Sequence, residues 1–171
     1  MSLKQTIREN KAVLLFLGKA IGLYMIFLIL EFRFFEPGGV NRWITNVLSS
    51  SSTEVLQWFG FPATNNARNI FINGEKQLFI STACNGFSFM YLFTAFVLAY
   101  PARWKHKAWF LPAGILLIHL LNTLRVIGLI LNWFFHRQSF DFNHKYTYVV
   151  FVYGILLFLW VKWAGKYALT R

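Results

Sequence analysis

The chain has 171 residues, 57% of them hydrophobic and only 13% charged, with a formal net charge of +11. An ordinary soluble domain carries about a quarter charged residues, so this composition excludes one and points to long uncharged runs. The single cysteine, Cys84, excludes an intramolecular disulfide, and cations gathered at the ends of apolar runs account for the excess charge without nucleic acid.

Residues Met1–Lys11 carry Lys4, Arg8 and Lys11 against a lone Glu9, a basic tail that belongs in the cytoplasm. Ala12–Leu30 is the first apolar run. Glu31, Arg33 and Glu36 follow it in place of a small-residue cleavage site, so it reads as a retained span. Lys19, inside it, is close enough to the inner end to snorkel back. Glu36-Pro37-Gly38-Gly39 is a turn cluster. Trp43–Leu48 and Val55–Phe61 are too short to span and are rich in aromatic residues, which predicts two helices on the membrane surface separated by Ser49–Ser52. Ser51 and Glu54 form a capping-box pattern before the second. Asn69–Ile72 and Glu75–Ile80 flank Asn73-Gly74, the preferred pair for a tight hairpin turn.

Ala83–Tyr100 reads as the second span, followed by the basic loop Arg103–Lys107. The apolar stretch Ala108–Phe135 exceeds the roughly 20 residues of one untilted crossing. A third span therefore ends near Gly128, and Leu129–Phe135 continues as a bent or interfacial piece. His136–Lys145 is a polar loop and Tyr146–Trp163 the fourth span, with Lys162, Lys166 and Arg171 after its middle. The fold class expected is an all-α integral membrane protein with about four transmembrane helices, short interfacial helices and a small external β-hairpin. It forms one polytopic domain over 1–171, with spans near 12–30, 83–100, 108–128 and 146–163 and an external segment 31–82. Lys and Arg concentrate in the amino-terminal tail, Arg103–Lys107 and the carboxy-terminal tail, which places these inside.

This topology brings three unusual residues to one depth. Cys84 opens span two at the outer face, where backbone N–H groups and the dipole of a helix start favour a thiolate. Arg125 lies 17 residues beyond Ala108, roughly 25 Å of rise across a core of about 30 Å. His144 ends the outer loop. A cysteine in an apolar helix is commonly just a small hydrophobe, and a loop histidine is commonly just solvated. An intramembrane arginine is a functional candidate by default, and Asn122, three residues earlier, can orient it. His119 reads as a satisfied core histidine, and His106 and His136 as loop or interface residues. A thiol, an imidazole and a cation together suit attack on an acyl carbon. One cysteine and one nearby histidine make too few ligands for zinc, so no metal or other cofactor is expected.

Ala83-Cys84-Asn85-Gly86 opening a span, Asn122-Thr123-Leu124-Arg125-Val126 in the next and His144 before the last resemble the exosortase/archaeosortase family. The resemblance covers roughly Thr82–Trp163, and the short chain is similar to compact stand-alone members such as exosortase F. It implies a membrane-embedded cysteine protease and transpeptidase, analogous to sortase but unrelated in fold. By position, Cys84 becomes the nucleophile, Arg125 the transition-state stabiliser and His144 the acid/base, with Asn85 and Asn122 in support. The implied partners are membrane lipids and secreted proteins ending in a recognition motif, a transmembrane helix and a basic cluster. The implied location is the cytoplasmic (inner) membrane, with the active site facing outward to the periplasm. Two other classes stay open: a small transporter or channel subunit in which Arg125 lines an anion path, and a non-catalytic assembly subunit in which Cys84 is packing.

Overall fold

The computed structural model describes residues 10–167; Lys4, Arg8 and Arg171 of the two basic tails lie outside them. Helix α1 (Lys11–Leu30) continues through a π-helical stretch, Glu31–Phe35, up to the turn at Glu36–Gly39. Helix α2 (Val40–Trp58) then leads into an antiparallel sheet of β1 (Ala63–Asn66), β2 (Asn69–Ile72) and β3 (Glu75–Phe79), in the order β1-β2-β3. Helix α3 (Phe87–Ala99), helix α4 (Trp104–Phe135) and helix α5 (Tyr148–Tyr167) complete the described chain. Among the described residues, three helical runs are long and apolar enough to cross a membrane: Lys11–Phe35, Trp104–Phe135 and Arg137–Tyr167.

Several local expectations need correction. The two surface helices are one. α2 runs unbroken through Ser49–Ser52, because Ser51, Ser52 and Thr53 return their hydroxyls to the carbonyls four residues earlier, at 2.8, 2.8 and 2.9 Å. That local bonding satisfies the hydroxyls inside a helix, so Ser51 sits mid-helix and caps nothing. The hairpin has a third strand. At its turn, Asn73 and Gly74 adopt φ of 53° and 78°, the doubly left-handed geometry of a type I′ turn.

The second apolar helix is only 13 residues long. Gly86, at φ +83°, blocks it upstream, and Tyr100, forced into extended backbone by Pro101, ends it. The α-helix therefore starts at Phe87, not at Cys84. The third span does not end at Gly128: α4 is one helix of 32 residues, about 48 Å long, and exceeds a hydrocarbon core of about 30 Å. The polar loop before the last span is also helical, as single turns at Arg137–Ser139, Phe140–Phe142 and Asn143–Thr147. Nor is Arg103–Lys107 wholly loop. Lys107 lies in the first turn of α4, and its Nζ donates to the Leu98 carbonyl at 2.7 Å, a cation at the carboxy end of α3.

The surplus length of α4 has a use. Its middle packs with α3 and α5 through Phe93, Ile118, Leu121, Val152 and Leu156. Its last turns pack with α2 and the sheet through Val126, Ile127, Ile130, Leu48, Leu56 and Ile70. One helix thus links an apolar bundle to a smaller second core, and Asn122 and Arg125 lie where the two meet.

Candidate active site

Cys84 ends a single 3-10 turn, Thr82–Cys84, whose cap is Ser81: the Ser81 hydroxyl accepts from the Ala83 N–H at 3.3 Å. The Cys84 N–H donates to the Ser81 carbonyl at 2.9 Å. Its thiol is half-buried and free. Because α3 begins three residues later, the turn and its partners position this thiol, in place of the first turn of an α-helix.

Asn85 and Gly86 fix the turn. Asn85 is 1% exposed, and its amide donates into α2, to the Asn41 carbonyl at 3.2 Å and the Thr45 hydroxyl at 3.1 Å, with a close contact to Asn41 Oδ1. Its own Oδ1 accepts from the Phe87 N–H at 2.9 Å, capping α3. Gly86 has a second reason to lack a side chain: a Cβ there would lie 3.1 Å from Asn122 Nδ2.

Asn122 uses that space. Its Nδ2 donates to the Cys84 carbonyl at 3.1 Å, and its Oδ1 lies 3.5 Å from Arg125 Nη1, the long limit of a hydrogen bond. Arg125 is 8% exposed, and its Nε has no hydrogen-bond partner. A buried guanidinium with an unspent donor is costly unless something else completes it.

His144 arrives from the other side. It lies in the π-helical turn Asn143–Thr147, with its ring parallel to that of Phe140 (5.8 Å between centroids, 6° between planes). Its Nε2 is 3.7 Å from Cys84 Sγ. Arg125, Asp141 and Lys145 all act on it electrostatically. The thiol, imidazole and guanidinium anticipated from the sequence thus converge, with Asn122 joining Arg125 to the Cys84 backbone.

The other histidines sit elsewhere. His119 Nε2 is 3.4 Å from Ser51 Oγ and ties α4 to α2. His106 stacks on Tyr167 with centroids 4.1 Å apart, and His136 is exposed just past α4. Among the described residues no three His, Cys, Asp or Glu side chains group closely enough to hold a metal ion. Sequence reading missed Asn41 and Thr45, which carry Asn85. Their four-residue spacing is informative only once Val40–Trp58 is known to be one helix. Asn41 is itself held, its Nδ2 donating to Glu31 Oε1 at 3.1 Å.

This scaffold gives a first prediction. Asn85→Ala strands buried acceptors on α2 and the Phe87 N–H, at a cost of about 1–3 kcal/mol for such groups. The thermal midpoint in detergent should fall measurably. An unchanged midpoint would show that Asn85 does not hold the turn.

Fold and site together define a polytopic membrane protein with a thiol–imidazole pair beside a buried arginine. The family model for transmembrane exosortase (Exosortase_EpsH) matches residues 10–161. The match covers most of the chain, which therefore belongs to the transmembrane exosortase family, a sorting-related class of membrane protein. No match was found among curated proteins or among solved structures.

Proposed function

We propose that this exosortase-family protein is a cysteine protease and transpeptidase that removes the carboxy-terminal sorting tag of secreted proteins. It acts at the outer face of the cytoplasmic membrane on partners that carry a recognition motif, a transmembrane helix and a basic cluster. The observation that carries this reading is the 3.7 Å approach of Cys84 Sγ to His144 Nε2, the only thiol of the chain against an imidazole.

The chemistry then runs in two halves. His144 accepts the Cys84 proton, and the thiolate attacks the scissile carbonyl carbon. Arg125 stabilises the negative charge that develops on oxygen. The peptide C–N bond breaks, His144 gives its proton to the departing amine, and the carboxy-terminal tag leaves. The thioester on Cys84 is released by water or an amine, whose proton goes to His144 as the thiolate departs. Hydroxylamine tests this directly. Added to active membranes, it should intercept the acyl-enzyme and leave exported proteins ending in a hydroxamate, read by mass spectrometry. Processing that continues with carboxylate ends alone, at saturating hydroxylamine, would sink the covalent mechanism.

The orientation has its own test. A phosphatase reporter, active only outside, should be silent when fused after Lys107 and active when fused after Arg137. An active fusion after Lys107 would invert the topology and put Cys84 on the wrong side.

A further inference from the structure

We propose that the apolar groove between α3 and α5 seats the transmembrane helix of the protein being cut. The groove encloses about 470 Å³ and is walled by Phe89, Phe93 and Phe96 of α3 and Val150, Gly154 and Leu157 of α5. Val150 is 70% and Leu157 62% exposed, so this wall is open to the side.

Three observations select the occupant. First, the groove continues the site. Its two walls are the helices that follow Cys84 and His144 in the chain, and its first lining residues, Phe89 and Val149, each come five positions after them. Second, the other approaches are occupied: α2 holds Asn85, α4 holds the Cys84 carbonyl through Asn122, and α1 packs on α3. Third, Gly154 is unspent. A Cβ added there meets nothing within 4 Å, so no contact inside the protein needs the missing side chain. A glycine weakens a helix, but in a membrane it lets a second helix approach closely. From Val150 to Trp160 the α5 wall rises about 15 Å, nearly three turns of a partner helix.

This inference rests on the cysteine-protease reading. If the scissile bond lies just outside a substrate's span, reaching Cys84 obliges that span to descend along the helices that follow the thiol and the imidazole, which are the walls of the groove.

The test uses the full-length protein in its own membrane. Exported proteins left uncut in a Cys84→Ala strain define the substrates. In that strain, Leu157 replaced by photoreactive benzoylphenylalanine should crosslink to the spans of those same proteins. The same replacement at Leu120, on the exposed face of α4, should not. Adducts at Leu157 confined to lipid, or to a second copy of the chain, overturn the proposal. Independently, Gly154→Leu should fill the groove and slow processing tenfold or more, with unchanged iodoacetamide labelling of Cys84. If Cys84→Ala stops processing but Gly154→Leu does not slow it, the groove assignment alone fails. If Cys84→Ala processes normally, the protease reading fails and takes the groove with it.

Discussion

Cells carrying Cys84→Ala will export the tagged proteins with their carboxy-terminal spans still attached. Loss of the nucleophile from a covalent catalytic unit lowers kcat on the order of a millionfold, so no cut product should be detectable. Cys84→Ser should fail as well, because an alcohol is a far weaker nucleophile than a thiol near neutral pH without strong activation. Both variants should still accumulate in the membrane. The thiol is half-buried and its turn is held by Ser81, Asn85 and Asn122 through backbone and amide groups that neither substitution removes. The measurement is mass spectrometry of the carboxy termini of exported proteins, with the variant quantified in the same membranes. Normal cut termini in the Cys84→Ala strain would return Cys84 to the role of a packing residue and leave a non-catalytic assembly subunit as the better reading.

Arg125 and His144 should fail in different ways. Loss of a well-placed oxyanion donor costs on the order of a hundred- to a thousandfold in kcat. Arg125→Lys should lose that much while remaining charged. The guanidinium is oriented at one end, where Nη1 faces Asn122 Oδ1. An ammonium is a compact point charge and cannot reproduce its planar fork. Labelling of Cys84 by a small neutral electrophile should change little, since Asn122 stands between Arg125 and the Cys84 backbone. His144→Ala should behave in the opposite sense. Turnover should fall by about 10²–10⁴, the usual worth of general acid–base assistance. Labelling should also fall near neutral pH, because the base proposed for the thiol, 3.7 Å away, is gone. Raising the pH should restore labelling, as hydroxide replaces the missing base, but not turnover, because the leaving amine still lacks a proton donor. The experiment is the rate of Cys84 labelling by iodoacetamide against pH, beside processing rates, in wild type and both variants. Superimposable labelling curves for wild type and His144→Ala would mean that the imidazole does not serve the thiol. Full activity of Arg125→Lys would remove the planar fork from the mechanism.

Hydropathy and punctuation along the chain were enough to announce a membrane protein, to locate α1 and α5 closely, and to set Asn73-Gly74 at a hairpin turn. Rise per residue along a helix predicted one level for Cys84, Arg125 and His144, because depth in a bilayer is a one-dimensional quantity that residue counting can address. Lateral placement is different in kind. Cys84 meets His144 across 60 residues and Asn85 meets Asn41 across 44, and no local periodicity encodes such a contact. The same reason explains the errors. Ser49–Ser52 looked like a break because serine competes with helix backbone in water, whereas in α2 its hydroxyls bond to carbonyls of the same helix. β1, with the sequence Ala-Thr-Asn-Asn, has little strand propensity and becomes a strand by pairing with β2. Gly128 looked like an end to the third span, but α4 continues past it to reach α2 and the sheet. Sequence alone singled out Cys84, Arg125 and His144 as the candidate side chains and predicted a shared level for them. Only tertiary packing decided that a 3-10 turn, held by Asn85 and Asn122, presents the thiol to His144.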